Sequence, residues 1–397
     1  MQAMHGFAKL RARGRLIGCS AVLTVALAAL VIAPAAANAI APPTTTYLAL
    51  GDSISFGYTA EKFNLHFPNE SPSYFEEGFT NYFTYQLKKA TEIGKSIRLV
   101  NDGCPGETSN GLIGENEAIG GQKSTEGPEG IQGVGDWHPC RYHFVNGFPL
   151  HNSLGTQSQL ENGLAVLGAE NGSGGKGKVE VISLQIGSND ELAGIEACKK
   201  EVGEEFGSKF FSEQPNSKSA PGDPEDGTKF YALNGNAEHD QKEEAEAFKQ
   251  CLLGHASFVL IPNITKNIVD TAKVLDEAGG FTGPIVVMGF YNPQAFLLKG
   301  SDGLQGLVNL RVKEALEGSG LTNIHWADVM TRFNALGKGP IAEKKAIAKY
   351  TEMCNPNVQK PETGADPGCE GDIHPSLAGY KLMAKIMNEA YLAPAIP

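Results

Sequence analysis

The sequence predicts an α/β fold, a five-stranded parallel sheet covered by helices on both faces. Three observations carry that expectation. Short apolar runs rich in β-branched residues recur at five places, and segments with helical period lie between them. The runs are apolar without strict alternation, which is the pattern of strands buried on both sides. Of 397 residues, 41% are hydrophobic and 20% charged, enough apolar material for a sizeable core.

The expected strands are residues 46–50, 97–100, 179–186, 284–289 and 323–327. Candidate helices fall at 81–93, 157–169, an interrupted stretch over 243–278, and 304–316. Right-handed crossovers restrict the ways such strands connect. A last helix is the clearest, because Tyr380, Met383, Met387 and Ala390 recur every three or four residues while Lys381, Lys385 and Glu389 take the other side. That apolar stripe is read as packing on the sheet.

Residues 1–39 resemble an export signal. Lys9, Arg11, Arg13 and Arg15 precede an apolar stretch from residue 16 to 32, and Ala37-Asn38-Ala39 offers the small-x-small site of a signal peptidase. The expected mature chain begins near Ile40 and forms one domain over 40–397, secreted and without integral membrane association; a retained anchor is the alternative. Four of the 33 basic residues and none of the 45 acidic ones lie in the signal, so its removal moves the net charge from −12 to −16. Such a surface repels phosphate and argues against nucleic acid as a partner. A monomer is expected.

Six cysteines remain after the signal: Cys104, Cys140, Cys198, Cys251, Cys354 and Cys369. An even number in an exported chain reads as three disulfides, and pairing each with its sequential neighbour gives 104 with 140, 198 with 251 and 354 with 369. Zinc is the rival reading, but no Cys-x-x-Cys occurs, and His138, Cys140 and His143 are the nearest approach to a ligand cluster. No metal is expected. Glycine stands at 48 of 397 residues, above the usual share of roughly 7%. Two long segments hold much of the excess length, 107–151 and 199–250, and are read as disulfide-stapled insertions over one face of the domain.

The chemistry gathers at strand ends. Gly51-Asp52-Ser53 follows the first strand, at the carboxyl edge where open α/β sheets bind ligands. If Ser53 opens a helix, its N–H is a free donor; a plain turn with Asp52 or Ser53 as cap is the structural reading. Gly371-Asp372-Ile373-His374-Pro375 precedes the last helix and sets an acid beside an imidazole. A serine hydroxyl needs such a base, and the base needs a partner that holds its tautomer. Gly106 follows the second strand and Gly187-Ser188-Asn189-Asp190 the third, so that Ser53, Gly106 and Asn189 are three candidate donors for an oxyanion.

Taken together, Gly-Asp-Ser, Gly106, Gly-Ser-Asn-Asp and His374-Pro375 resemble the four blocks of the GDSL or SGNH hydrolases across nearly the whole mature chain. The resemblance implies a flavodoxin-like three-layer α/β/α sandwich and ester hydrolysis without metal or cofactor. It implies Ser53 as nucleophile, His374 as base, and Gly106 and Asn189 as oxyanion donors. Gly-x-Ser-x-Gly is absent, against the α/β-hydrolase fold.

One position departs from the family pattern. The family's aspartate usually stands three residues before the histidine, where this chain has Gly371. Asp372, two before, is the preferred partner of His374; a backbone carbonyl near Gly371 is the alternative. The expected function is thus a secreted serine esterase or lipase acting on a small-molecule, lipid or glycan ester. The alternatives are a polysaccharide O-acetyl esterase and a non-catalytic binding protein. Phe56, Tyr58, Phe63, Phe67, Tyr74 and Phe75 follow the nucleophile closely, and are read either as an acyl pocket or as packing beneath the first insertion.

Overall fold

The computed structural model describes residues 44–90, 96–114, 140, 143, 147–155, 157–171, 177–206, 239–293, 295, 300–355, 357–358 and 371–397. The expected signal at 1–39, Cys369 and much of both insertions lie outside them.

Five strands form one parallel sheet: β1 (Thr44–Gly51), β2 (Ile97–Asn101), β3 (Gly177–Gln185), β4 (Ile285–Met288) and β5 (Ile324–Ala327). Their order is β2-β1-β3-β4-β5, the doubly wound order of flavodoxin-like sheets, in which the chain reverses its winding next to β1. Register along the central pair runs from Thr44 opposite Gly177 to Gly51 opposite Gln185. Side chains alternate across the sheet, so each apolar run feeds two cores. Leu48, Leu50, Ile182, Leu184, Ile285, Val287 and Ile324 point to one, and Tyr47, Ala49, Val181, Val286, Met288 and Ala327 to the other.

Helices close both sides. The first core is covered by α5 (Gln159–Asn171), α8 (Ile261–Glu277) and α9 (Ser301–Glu317). The second is covered by α3 (Phe79–Ala90) and α12 (Leu377–Leu392), which pack on each other as well as on the strands. Along α12 the predicted stripe is buried at Tyr380, Met383 and Met387, with Ala384 and Ile386 beside it. Short helices sit at the carboxyl edge: α1 (Ser53–Phe56), α2 (Ala60–His66) and α4 (Ser109–Ile113). The chain is therefore the three-layer α/β/α sandwich that the sequence predicts.

Several local expectations change. Residues 188–206 form α6 (Ser188–Phe206), a helix that the sequence did not suggest and that runs into the second insertion, and α7 (His239–His255) begins four residues before the helical stretch expected from 243. The helical stretch expected over 243–278 is interrupted by a π-helical turn, Ala256–Leu260, between α7 and α8. After β5 come α10 (Val329–Phe333) and α11 (Pro340–Tyr350). A small antiparallel pair, β6 (Thr351–Glu352) with β7 (Asp372–Pro375), then precedes α12. Sequence patterning missed that pair because a two-residue strand carries no periodicity.

Disulfides join Cys104 to Cys140 and Cys198 to Cys251, the second one tying α6 to α7. Cys354 is disulfide-bonded as well. Among the described residues no helix is long and apolar enough to cross a membrane.

Met383 is fully buried between α12 and the sheet. Met383→Ala is expected to lower the free energy of unfolding by about 2–5 kcal/mol, the range for large-to-small core substitutions. Urea unfolding of the two proteins measures it.

Candidate active site

The site stands where β1, β2 and β3 end. Gly51 closes β1 with φ +153°, and a Cβ there would lie 2.0 Å from the Gln185 carbonyl oxygen and 2.3 Å from Ser55 Oγ. Only glycine lets β1 pass so close to the end of β3. Asp52 then caps α1, its carboxylate accepting from the Ile54 amide at 2.9 Å and from Gln185 Nε2 at 3.0 Å. Ser53 is the first residue of that helix. Its amide is one of the orphan donors of a helix start and has no acceptor among the described residues.

His374 comes from the other end of the chain. Residues two apart on a strand share a face, so β7 turns the side chains of Asp372 and His374 the same way. The His374 Nδ1 lies 2.5 Å from Asp372 Oδ1, and its Nε2 lies 2.7 Å from Ser53 Oγ. Asp372 also accepts from the His374 amide at 3.0 Å and, through Oδ2, from the Ala60 amide at 2.7 Å. The strand thus explains the two-residue spacing: an aspartate three residues before His374 would face away. A backbone carbonyl near Gly371 is not needed to orient the ring, since the Asp372 carboxylate occupies Nδ1. Tyr58 packs against the imidazole with ring centroids 4.8 Å apart.

All three side chains are buried. Burial alone would raise the Asp372 pKa, but the neighbouring His374 charge and hydrogen bonds from His374 and Ala60 hold it below the ordinary carboxylate value. It is therefore an anion beside the imidazole. Asp52 behaves oppositely, pushed up to about 6 by burial despite its bonds to Ile54 and Gln185.

Of the other two candidate oxyanion donors, Gly106 lies on the loop after β2 and Asn189 in the first turn of α6. Asn189 Nδ2 donates to the carbonyl of Glu107 at 2.8 Å, which uses one of its two amide protons and ties Asn189 to the residue after Gly106. The Gly106 amide has no acceptor among the described residues. Asp190, in the same first turn of α6, fastens it to the start of α4, accepting from the Ser109 amide at 2.8 Å and the Ser109 hydroxyl at 2.6 Å.

Sequence reasoning missed the amides that brace this edge. Gln159 on α5 binds both sides of Gly51, accepting from its N–H at 2.8 Å and donating to its C=O at 2.9 Å. Gln185 joins Asp52 to Ser55. A buried glutamine inside an apolar-periodic stretch was the available signal. The aromatic residues divide: Phe56, Tyr58, Phe63 and Phe75 form a buried cluster with Phe148 of the first insertion, while Phe67 and Tyr74 are partly exposed. Among the described residues the four buried rings pack against one another and against Phe148.

No protein-family model and no curated protein matches the chain. Among solved structures it is similar to Axe2, an acetylxylan esterase from Geobacillus stearothermophilus, at 14% identity and a TM-score of 0.38 over 90% of this chain and 98% of that one. It is also similar to a member of the lipolytic protein G-D-S-L family from Veillonella parvula DSM 2008, at 13% identity and 0.33 over 87% and 97%. A third likeness is to LAE5, an alpha/beta hydrolase enzyme from the metagenome of Lake Arreo, at 13% identity and 0.35 over 88% and 96%. None of the roles proposed below rests on these likenesses.

Several buried carboxyls give the site a pH signature. Burial raises Asp52, Asp102 and Asp190 to about 6 from 3.8, and Glu107 to about 8 from 4.5. Between those limits the folded chain holds more protons than the unfolded one, so stability falls as pH rises through the window. Asp372 acts with the opposite sign, and its contribution is lost only as pH falls below the ordinary carboxylate value. The thermal midpoint is accordingly expected to be higher near about pH 5.5 than near about pH 8.5. Scanning calorimetry at the two pH values tests this, and an equal or higher midpoint at the alkaline value contradicts it.

Proposed function

We propose that the chain is a serine hydrolase of the SGNH type that cleaves carboxylic esters. The observation that carries this reading is the continuous contact from Asp372 through His374 to Ser53 at the carboxyl edge of the sheet. Ser53 Oγ attacks the acyl carbonyl while His374 Nε2 takes its proton. The Asp372 carboxylate keeps the proton of the neutral ring on Nδ1, so that Nε2 is the free base, and then stabilises the imidazolium. As the tetrahedral intermediate collapses, His374 returns its proton to the leaving alcohol, and the acyl group stays on Ser53. Water, activated by the same Nε2, then releases the acid.

Negative charge on the carbonyl oxygen needs donors fixed before it forms. The Ser53 and Gly106 amides and the second proton of Asn189 Nδ2 are the groups we assign to it. All of them are main-chain or amide donors just beyond the carboxyl ends of β1, β2 and β3, so little reorganisation accompanies the reaction.

A second reading, O-deacetylation of a polysaccharide, is favoured by one observation. Four of the aromatic rings that follow the nucleophile in sequence, Phe56, Tyr58, Phe63 and Phe75, are committed to a buried cluster, and so are not available to line a long acyl pocket. Release of acetate from acetylated xylan, set against hydrolysis of long-chain aryl esters, separates the two. Export is part of the proposal, supported by the basic, apolar and Ala-x-Ala order of residues 1–39 and by disulfides that persist in oxidising compartments.

Steady-state kinetics on 4-nitrophenyl acetate test the assignment. Asp372→Asn is expected to lower kcat by about 10⁴-fold through the wrong histidine tautomer. A rate within threefold of wild type would return the orienting role to the backbone. Asn189→Ala is expected to cost about 10²- to 10³-fold in kcat, and an unchanged rate would remove it from the oxyanion site.

A further inference from the structure

Glu107 directly follows Gly106 and is buried, yet the mechanism above makes no use of its side chain. Its carboxylate accepts from the Cys140 amide at 2.9 Å and from Gln159 Nε2 at 3.3 Å. Through the first bond it holds the backbone beyond the Cys104–Cys140 disulfide. Through the second it reaches Gln159, which clasps Gly51 two residues before Ser53. Its own carbonyl receives the Asn189 amide. One residue thus joins the strand end that carries the nucleophile, the loop that carries Gly106, and Asn189.

We propose that Glu107 is a positioning residue, a buried carboxyl clamp that sets the Gly106 amide and the Asn189 side chain in the arrangement that receives the oxyanion. The inference rests on the proposed ester hydrolysis. Three features support it. The groups around the carboxyl are donors, the Cys140 and Thr108 amides and Gln159 Nε2, and one carboxyl oxygen, Oε2, accepts from both Cys140 and Gln159. Burial makes that choice costly and pushes the carboxyl up to about 8, with Asp190 adding to the rise. Such groups concentrate where function demands them. Finally, Gly111 on α4 makes room for it: a Cβ at residue 111 would lie 1.9 Å from Glu107 Oε1.

That last contact supplies a test which leaves Glu107 in place. Gly111→Ala favours the helix in which it stands but displaces the carboxyl. Glu107→Asp keeps the carboxyl group and withdraws its acceptors by one methylene. Both are expected to lower kcat on 4-nitrophenyl acetate by about 10²-fold, the scale of a misplaced catalytic group, with KM changing by less than about threefold. Glu107→Gln, which retains one acceptor oxygen at full reach, is expected to lose only about tenfold. In the Asn189→Ala background the Gly111→Ala loss should shrink to less than about tenfold, because the two act through the same donor.

Wild-type kcat in Gly111→Ala, or losses that multiply in full with Asn189→Ala, would overturn the clamp. Should Glu107→Asp fail to fold by circular dichroism, Gly111→Ala and its double variant decide alone. A wild-type protein without esterase activity takes the clamp down together with the reading on which it rests, whereas an active wild type with unaffected variants rejects the clamp only.

Discussion

Ser53 and His374 are 321 residues apart, and their hydrogen bond exists because the two ends of the domain are fastened to each other around it. Asp372 holds the Ala60 amide, and the Tyr380 hydroxyl donates to the Tyr58 carbonyl at 2.6 Å. Tyr291 reaches the strand between the acid and the base, donating its hydroxyl to the Ile373 carbonyl at 2.6 Å. Beneath these bonds the buried stripe of α12 packs against α3 and the sheet. Core packing therefore sets where β7 lies, and β7 sets the angle of the imidazole. A serine at a strand end has no special reactivity; this fastening is what places the imidazole of His374 against Ser53 Oγ, the contact from which the proposed hydrolysis starts.

The same edge shows what such a site costs. Asp52, Asp102, Asp190 and Glu107 are buried there, and each is held by amide or hydroxyl donors. Asp102 binds the side-chain amides of Asn152 and Asn162, both at 2.7 Å, which ties the end of β2 to the first insertion and to α5. Every such bond offsets part of the desolvation penalty without repaying it, as the raised pKa values of these acids record. Apolar replacements would make a more stable sheet edge. The carboxyls instead fix the backbone at the strand ends in one register, which the proposed oxyanion site needs and a hydrophobic surface does not provide.

Much of this was legible in the sequence. Strands with two buried faces read directly as continuous apolar runs, and the Tyr380, Met383 and Met387 spacing gave the last helix its place. Ser53, His374 and Asn189 were legible because glycine, aspartate and proline mark the strand ends on which they sit. Other parts left no such mark. Helix α6 was hidden because its acidic, glycine-containing sequence lacks a strong apolar stripe. The Asp372 spacing stood out only against the family pattern that the motifs resemble; on β7 the period of two turns Asp372 to the same side as His374. Gln159, Gln185 and Glu107 act through contacts distant in sequence, which neither composition nor periodicity encodes.

The central claim is that the hydroxyl of Ser53, and no other on the chain, is made nucleophilic by His374. A fluorophosphonate reacts covalently with such a hydroxyl and with few others, and mass spectrometry of the digested adduct locates the modified residue. The account predicts a single adduct, on the peptide that contains Ser53, and none in Ser53→Ala. No adduct on folded protein, or one that persists in Ser53→Ala on a neighbour such as Ser55 or Ser188, would contradict it.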